Sequence, residues 1–233
     1  MALGERHLLL LPGSLCDEYV WRPQIDALSG DWSVSCPRLA GLPSIGALAE
    51  ASLAHAPDRF SLAGFSMGGR VALEMMRQAP GRIERIALIA SSVHPVAEGE
   101  AARRQPLIDV AVQQGMEALA HTWLPRLVPP GLPDEIMTRL VEMTCRFTPE
   151  DYVDEVQALL NRPDPRPVLG DIRCPALVLA GREDPLSTPE RNAEIAAGIA
   201  GAELVILDGC GHFPMLEAPD SITTALKAWL ARS

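Results

Sequence analysis

The stretch that decides the reading is "LAGFSMGGRVA", Leu62 to Ala72. It sets Ser66 two residues from Gly64 and two from Gly68, with Gly69 behind. The residues before it, "RFSLAGF", form a short apolar run with strand character. Those after it, "MGGRVALEMMRQ", have the spacing of an amphipathic helix that stops before Pro80. A strand that turns directly into a helix holds its central residue in strained backbone, and side chains two positions away collide across the hairpin. Glycines remove that collision and leave the hydroxyl clear. The helix N-terminus beyond it favours developing negative charge. The plainer alternative is a tight turn whose serine only caps the helix.

Outward from this turn the pattern repeats. Six short apolar runs, His7–Leu11, Ser33–Pro37, Phe60–Phe65, Ile86–Ala90, Ala176–Ala180 and Glu203–Leu207, are bounded by turn residues. They are too short for helices and apolar on both faces, as strands of a covered parallel sheet are. Helical patterns lie between them at Pro23–Ser29, Ile45–His55, Met67–Gln78, Thr188–Ala200 and Asp220–Ala231. The alternation predicts a doubly wound α/β fold with a mostly or all-parallel sheet of about six strands. Residues 92–170 break the rhythm. They hold no convincing strand, only proline-punctuated helical stretches at Ala101–Gln114, Met116–Leu124, Asp134–Arg146 and Glu150–Asn161. The expected organisation is a core of residues 1–91 and 171–233, with 92–170 a helical insertion.

Composition narrows the function. The chain has 233 residues, 48% hydrophobic, and a formal net charge of −10, which argues against nucleic acid or an anionic membrane as partner. No segment has the length of a membrane span, and "HLLLLP" is too short for a signal core. Five scattered cysteines, Cys16, Cys36, Cys145, Cys174 and Cys210, form no C-x-x-C pair. The expectation is a cytoplasmic protein without a metal site or disulfide framework.

If Ser66 attacks, it needs a base. Of the five histidines, His7 begins a strand and His55 lies in a helix, whereas His94 and His121 fall in the insertion, where they can line a pocket or sit on the surface. His212 differs. It sits in "DGCGHFPMLEAP", between the last strand and the last helix, and ligands of open α/β sheets gather at the carboxyl ends of strands. A base needs an orienting acid. Asp184, in "LAGREDPLSTP", follows the preceding strand. Glu183 points away if Asp184 points in, and Asp208 is close enough in sequence to His212 for turn stabilisation to be its simpler role. The order Ser66, Asp184, His212 is that of one of the known serine-nucleophile arrangements.

On these residues the sequence resembles the α/β-hydrolase superfamily over essentially its whole length. "GFSMGG" looks like the nucleophile elbow, "GREDPLSTP" the acid loop and "GCGHFPMLEAP" the histidine loop, with Glu217–Pro219 a shared tail. "LLPGSLCDEYVW" resembles the loop usually written His-Gly, with Pro12 in place of the histidine. The resemblance implies a core without the usual N-terminal hairpin and a lid formed by 92–170, like those of small carboxylesterases and enol-lactonases. It implies an oxyanion hole from the backbone N–H groups of Met67 and Ser14, with Leu15 the alternative donor if the loop is shifted. The implied activity is hydrolysis of small or medium carboxylic esters through an acyl-enzyme, with no cofactor and a small ester or lactone as substrate. Rival readings are enol-lactonase, thioesterase, carbon–carbon hydrolase or lyase on the same three residues, or a small-molecule receptor. Leu15, His94, Trp123 and Leu124 are the candidate substrate contacts. Leu127, Met137, Leu140, Met143 and Phe147 fit an acyl pocket or, by helical spacing, the core of the lid. Arg103 and Arg104 suit a substrate carboxylate or phosphate, or plain solvated helix positions.

Overall fold

Successive residues of the buried central strands join two different cores in alternation and so define two layers of helix around one sheet. The computed structural model describes residues 6–232, so the ends of the expected core, residues 1–5 and 233, lie outside the described residues. Strands β1 (His7–Leu11), β2 (Ser33–Ser35), β3 (Phe60–Phe65), β4 (Ile83–Ile89), β5 (Ala176–Gly181) and β6 (Glu203–Leu207) pair in the order β2-β1-β3-β4-β5-β6. Every pairing is parallel. The helices between them are α1 (Arg22–Leu28), α2 (Ile45–His55), α3 (Met67–Gln78), α4 (Glu100–Gln114), α5 (Met116–Trp123), α6 (Asp134–Thr144), α7 (Pro149–Leu160), α8 (Arg166–Leu169), α9 (Pro189–Gly198), α10 (Pro214–Glu217) and α11 (Pro219–Leu230).

Leu9 and Leu11 face one way, into a core shared with Leu48 of α2, Val71 and Met75 of α3 and Ile195 of α9. Leu8 and Leu10 face the other, with Trp21, Leu28 of α1 and Leu226 and Trp229 of α11. Each of these four strand leucines is 3% exposed or less, and full burial of such a side chain contributes about 1.5–3 kcal/mol. Residues 92–170 hold α4 to α8 and, among the described residues, no strand. Helix α7 starts at a capping box, Thr148 with Asp151, and Pro149 in its first turn. Leu140 and Met143 of α6 join the second core, while Leu119 of α5 and Val156 of α7 pack with Leu15 in a third cluster.

Two strands depart from expectation. β2 stops at Ser35 rather than Pro37. It is an edge strand, and Pro37 has no N–H to extend the ladder. β4 begins at Ile83, three residues earlier than the apolar run. Glu84 and Arg85 interrupt the pattern but are accommodated: Glu84 pairs with Arg59 at 2.9 Å, and Arg85 donates to the Arg232 carbonyl at 2.8 Å. The short α8 is absent from the sequence reading. No helix among the described residues is long and apolar enough to cross a membrane.

Candidate active site

From β1 the chain goes out to β2 and then returns past β1 to β3. The crevice at such a reversal, beyond the carboxyl ends of the strands, is where open α/β sheets place ligands. Ser66 follows β3 there, with φ 52° and ψ −114°, a conformation that non-glycine residues adopt only where the surroundings enforce it. The enforcement is close backbone packing. A Cβ on Gly64 would lie 2.4 Å from the Gly68 carbonyl oxygen, and one on Gly68 would lie 2.5 Å from the carbonyl oxygens of Leu11 and Pro12. The start of α3 therefore presses against both β3 and the loop after β1. Ser66 makes no side-chain capping bond to α3. Its Oγ lies 3.0 Å from His212 Nε2.

His212 Nδ1 lies 2.7 Å from Asp184 Oδ2, and both residues are buried. The other Asp184 oxygen accepts the backbone N–H groups of Leu186 (2.8 Å) and Ser187 (2.9 Å). Burial works to raise the Asp184 pKa, but the hydrogen bond and charge of His212 with the two N–H donors outweigh it and hold the carboxyl below its ordinary value. The neighbouring acids have other tasks. Glu183 accepts the Cys210 N–H at 2.8 Å. Glu217 accepts the N–H groups on either side of the histidine, Gly211 at 2.6 Å and Phe213 at 2.8 Å. The His212 N–H itself donates to the Leu127 carbonyl at 2.8 Å. Asp208, an exposed residue, pairs with Arg182. The loop is thus fixed on three sides, and the Phe65 ring packs 5.2 Å from the imidazole.

The loop after β1 is held by a residue the sequence did not reveal, Glu155 of α7. A Cβ on Gly13 would lie 3.3 Å from Ser66 Cβ, so this loop sits beside the serine. Leu15, at φ 52°, donates its backbone N–H to the buried carboxyl group of Glu155 at 2.9 Å, and the Ser14 hydroxyl bonds to the same group. Burial raises the Glu155 pKa to about 8, against the opposing pull of those bonds. With the Leu15 N–H committed to Glu155, the donors of the sequence expectation that remain are the N–H groups of Ser14 and Met67. The latter is in the first turn of α3, where no intrahelical acceptor exists. A signal for Glu155 did exist: Tyr152, Glu155, Val156 and Leu159 share the buried face of α7, so an acid stands on an apolar stripe. Its partner, 140 residues away, had no such signal.

The model of the "Alpha/beta hydrolase family" matches residues 8–225. The chain belongs to that family. Among curated relatives of this α/β hydrolase, a pimeloyl-[acyl-carrier protein] methyl ester esterase of Nitrosomonas europaea is 27% identical, the match covering 95% of this chain and 94% of that one. A 3-oxoadipate enol-lactonase of Acinetobacter baylyi is 28% identical over 72% of this chain and 62% of its own. Among solved structures, the enol-lactonase of Burkholderia xenovorans superposes with a TM-score of 0.86 at 27% identity, covering all of this chain and 94% of that one. A thermophilic esterase of Thermogutta terrifontis gives 0.87 at 25%, covering 97% and 89%.

In this α/β hydrolase a cavity of about 580 Å³ opens onto Ser66 and His212. Ser14, Met67, His94 and Trp123, all singled out from the sequence, line it. Leu15 and Leu124 do not. Each is fully buried, Leu15 among Leu119, Phe147 and Val156, and Leu124 against the second core. Leu15 is turned into the helical segment and Leu124 into the core it shares with the sheet, so neither lines the cavity. Leu127, Leu140, Met143 and Phe147 are core as well. His7 bonds Ser35 Oγ at 2.8 Å, His55 and His121 are exposed, and His94 pairs with Glu194 at 2.6 Å. Arg103 and Arg104 line the cavity, joined by Arg70, Arg162 and Arg191. Among the described residues no cluster of three or more His, Cys, Asp or Glu is set to hold a metal ion.

Proposed function

We propose that the protein hydrolyses carboxylic esters through an acyl-enzyme on Ser66. The observation that carries this reading is the hydrogen-bonded line Ser66–His212–Asp184 at the cavity wall. His212 Nε2 takes the Ser66 proton as Oγ bonds to the ester carbonyl carbon. The charge on the carbonyl oxygen is held by the N–H groups of Met67 and Ser14. On collapse the C–O bond to the alcohol breaks, and His212 gives its proton to the leaving oxygen. Water then adds to the acyl-enzyme by the same steps, releasing the acid and restoring Ser66. Asp184, its pKa held low, stays ionised and supports the imidazolium that forms between these steps. The helices of 92–170 act as the lid over this site and set its specificity. The likeness to enol-lactonases favours lactones as a second substrate form, in which the leaving alcohol remains tethered to the acid.

Turnover of short p-nitrophenyl and methyl esters, with covalent labelling by a fluorophosphonate, tests the assignment. Ser66→Ala is expected to lower kcat by roughly 10⁴- to 10⁶-fold and to abolish labelling, with the melting temperature retained. Labelling that survives in Ser66→Ala would place the nucleophile elsewhere.

A further inference from the structure

Five arginines line the cavity, Arg70, Arg103, Arg104, Arg162 and Arg191, against a single carboxylate, Glu100. The chain as a whole has 30 acidic residues to 20 basic ones, so this concentration runs against its composition. Glu100 is already engaged by both Arg104 and Arg162. Arg162, with a side chain 5% exposed, also donates to the carbonyls of Pro95 and Leu159 and is thereby occupied in tying the helical segment down.

The other three differ. Arg70 donates to the His94 carbonyl at 3.2 Å, Arg103 to the Glu98 carbonyl at 2.9 Å and Arg191 to the Leu186 carbonyl at 2.6 Å. None of them pairs with a carboxylate among the described residues, and Glu194 is taken by His94. Arg70 stands four residues beyond Ser66 on α3. Burial, and then the charge of Arg162, lower its pKa to about 9. A half-buried guanidinium next to another cation, with no carboxylate in ion-pair contact and only the more distant charge of Glu100 to offset it, is an unfavourable arrangement that a bound anion relieves. Guanidinium also offers paired donors matched to carboxylate and phosphate oxygens.

We infer that the cavity receives an ester or lactone bearing a second, anionic group, a carboxylate or a phosphate, and that Arg70, assisted by Arg103 and Arg191, is the residue that selects it. The reaction at Ser66 rests on the hydrolase reading above, whereas the anion site stands on its own geometry. The volume of the cavity accommodates a chain of several carbons between the two ends.

The test compares methyl hexanoate with monomethyl adipate, equal in chain length and differing in the terminal carboxylate, and with methyl 6-phosphonooxyhexanoate. Binding of adipate dianion to the Ser66→Ala protein is measured alongside by calorimetry. The carboxylate ester is expected to exceed the neutral one in kcat/KM by roughly tenfold to a hundredfold, with the advantage shrinking as salt is raised. Arg70→Gln is expected to collapse that ratio and Arg70→Lys to restore part of it. Arg103→Gln, at an exposed position, reduces the ratio less and guards against a folding defect at Arg70. A higher kcat/KM for the phosphate ester than for monomethyl adipate assigns the site to phosphates. Equal kcat/KM for charged and neutral esters, with no adipate binding, overturns the proposal and leaves the hydrolase reading intact. Adipate binding that is lost in Arg70→Gln, without turnover of any ester, upholds the anion site and removes the hydrolase reading.

Discussion

The loops carrying Ser66, Asp184 and His212 hang from the carboxyl ends of β3, β5 and β6, while Glu155, Arg103, Arg104 and Arg162 come from the helical segment between β4 and β5. The first region is held by backbone against backbone. Gly64, Gly68 and Gly181 sit where a single methyl group would strike a carbonyl, at 2.4, 2.5 and 2.1 Å. The second is held by side chains that reach across long sequence separations, such as Glu155 to Leu15 and Arg162 to the carbonyls of His94 and Pro95. The sheet end holds Ser66, His212 and Asp184 in one hydrogen-bonded line. The helical segment orients the loop beside it through Glu155 and adds Arg103, Arg104 and Arg162 to a cavity that α3 and α9 also line, with Arg70 and Arg191.

The sharpest way to break the comparison lies in the two adjacent acids of the β5 loop. Asp184→Asn is expected to lower kcat by about 10³- to 10⁴-fold. Glu183→Gln, which keeps an acceptor for the Cys210 N–H, is expected to cost far less. Equal losses measured in steady-state kinetics would mean that the orienting acid is misassigned. Next comes the backbone packing. Gly64→Ala forces Cβ against the Gly68 carbonyl and is expected to destabilise the fold by about 3 kcal/mol, read by denaturant unfolding, with activity lost in step.

On the helical side the effect is smaller and depends on pH. Glu155→Ala leaves the Leu15 N–H and the Ser14 hydroxyl without their acceptor, for about 1–3 kcal/mol and a roughly tenfold to hundredfold fall in kcat through the mispositioned Ser14 N–H. Glu155→Gln keeps the acceptor and is expected to recover most of the rate. The sign of the pH effect follows from the raised pKa. The folded protein holds the Glu155 proton up to about pH 8, whereas an ordinary glutamate loses it near 4.5. The stability from this group is complete below about 4.5 and is lost progressively as pH rises to about 8. The difference in unfolding free energy between wild type and Glu155→Gln should therefore tilt toward the variant across that window. A flat difference would show that the carboxyl group ionises normally. Last, Asp208→Asn, in an exposed pair with Arg182, is expected to change neither rate nor melting temperature measurably.

The succession of strands and helices along the chain was readable because each covered parallel strand is a short run apolar on both faces, and a mostly or all-parallel sheet followed from their alternation with helices. Where the reading slipped, at the ends of β2 and β4, the cause was local chemistry at a sheet edge and a charged pair inside a strand. Ser66, Asp184 and His212 were legible as candidates because each stands in a loop at a strand end, in one chain order. Leu15 and Leu124 are packed in cores outside the cavity lining, a distinction the sequence does not carry, because an apolar residue near a site looks the same whether it faces substrate or core.

By itself, then, the sequence determined the layered fold, the strained turn at Ser66 and the three polar residues whose loops converge. These depend on short-range spacing: glycines two residues from a serine, and strand ends that must lie on one side of a parallel sheet. The tertiary structure alone decided that Glu155 holds the loop after β1, that Glu217 brackets His212 from both sides and that five arginines share one cavity with one glutamate. Those facts come from side chains brought together across the chain, and their physical basis is burial, which a local pattern does not encode until the helices are packed.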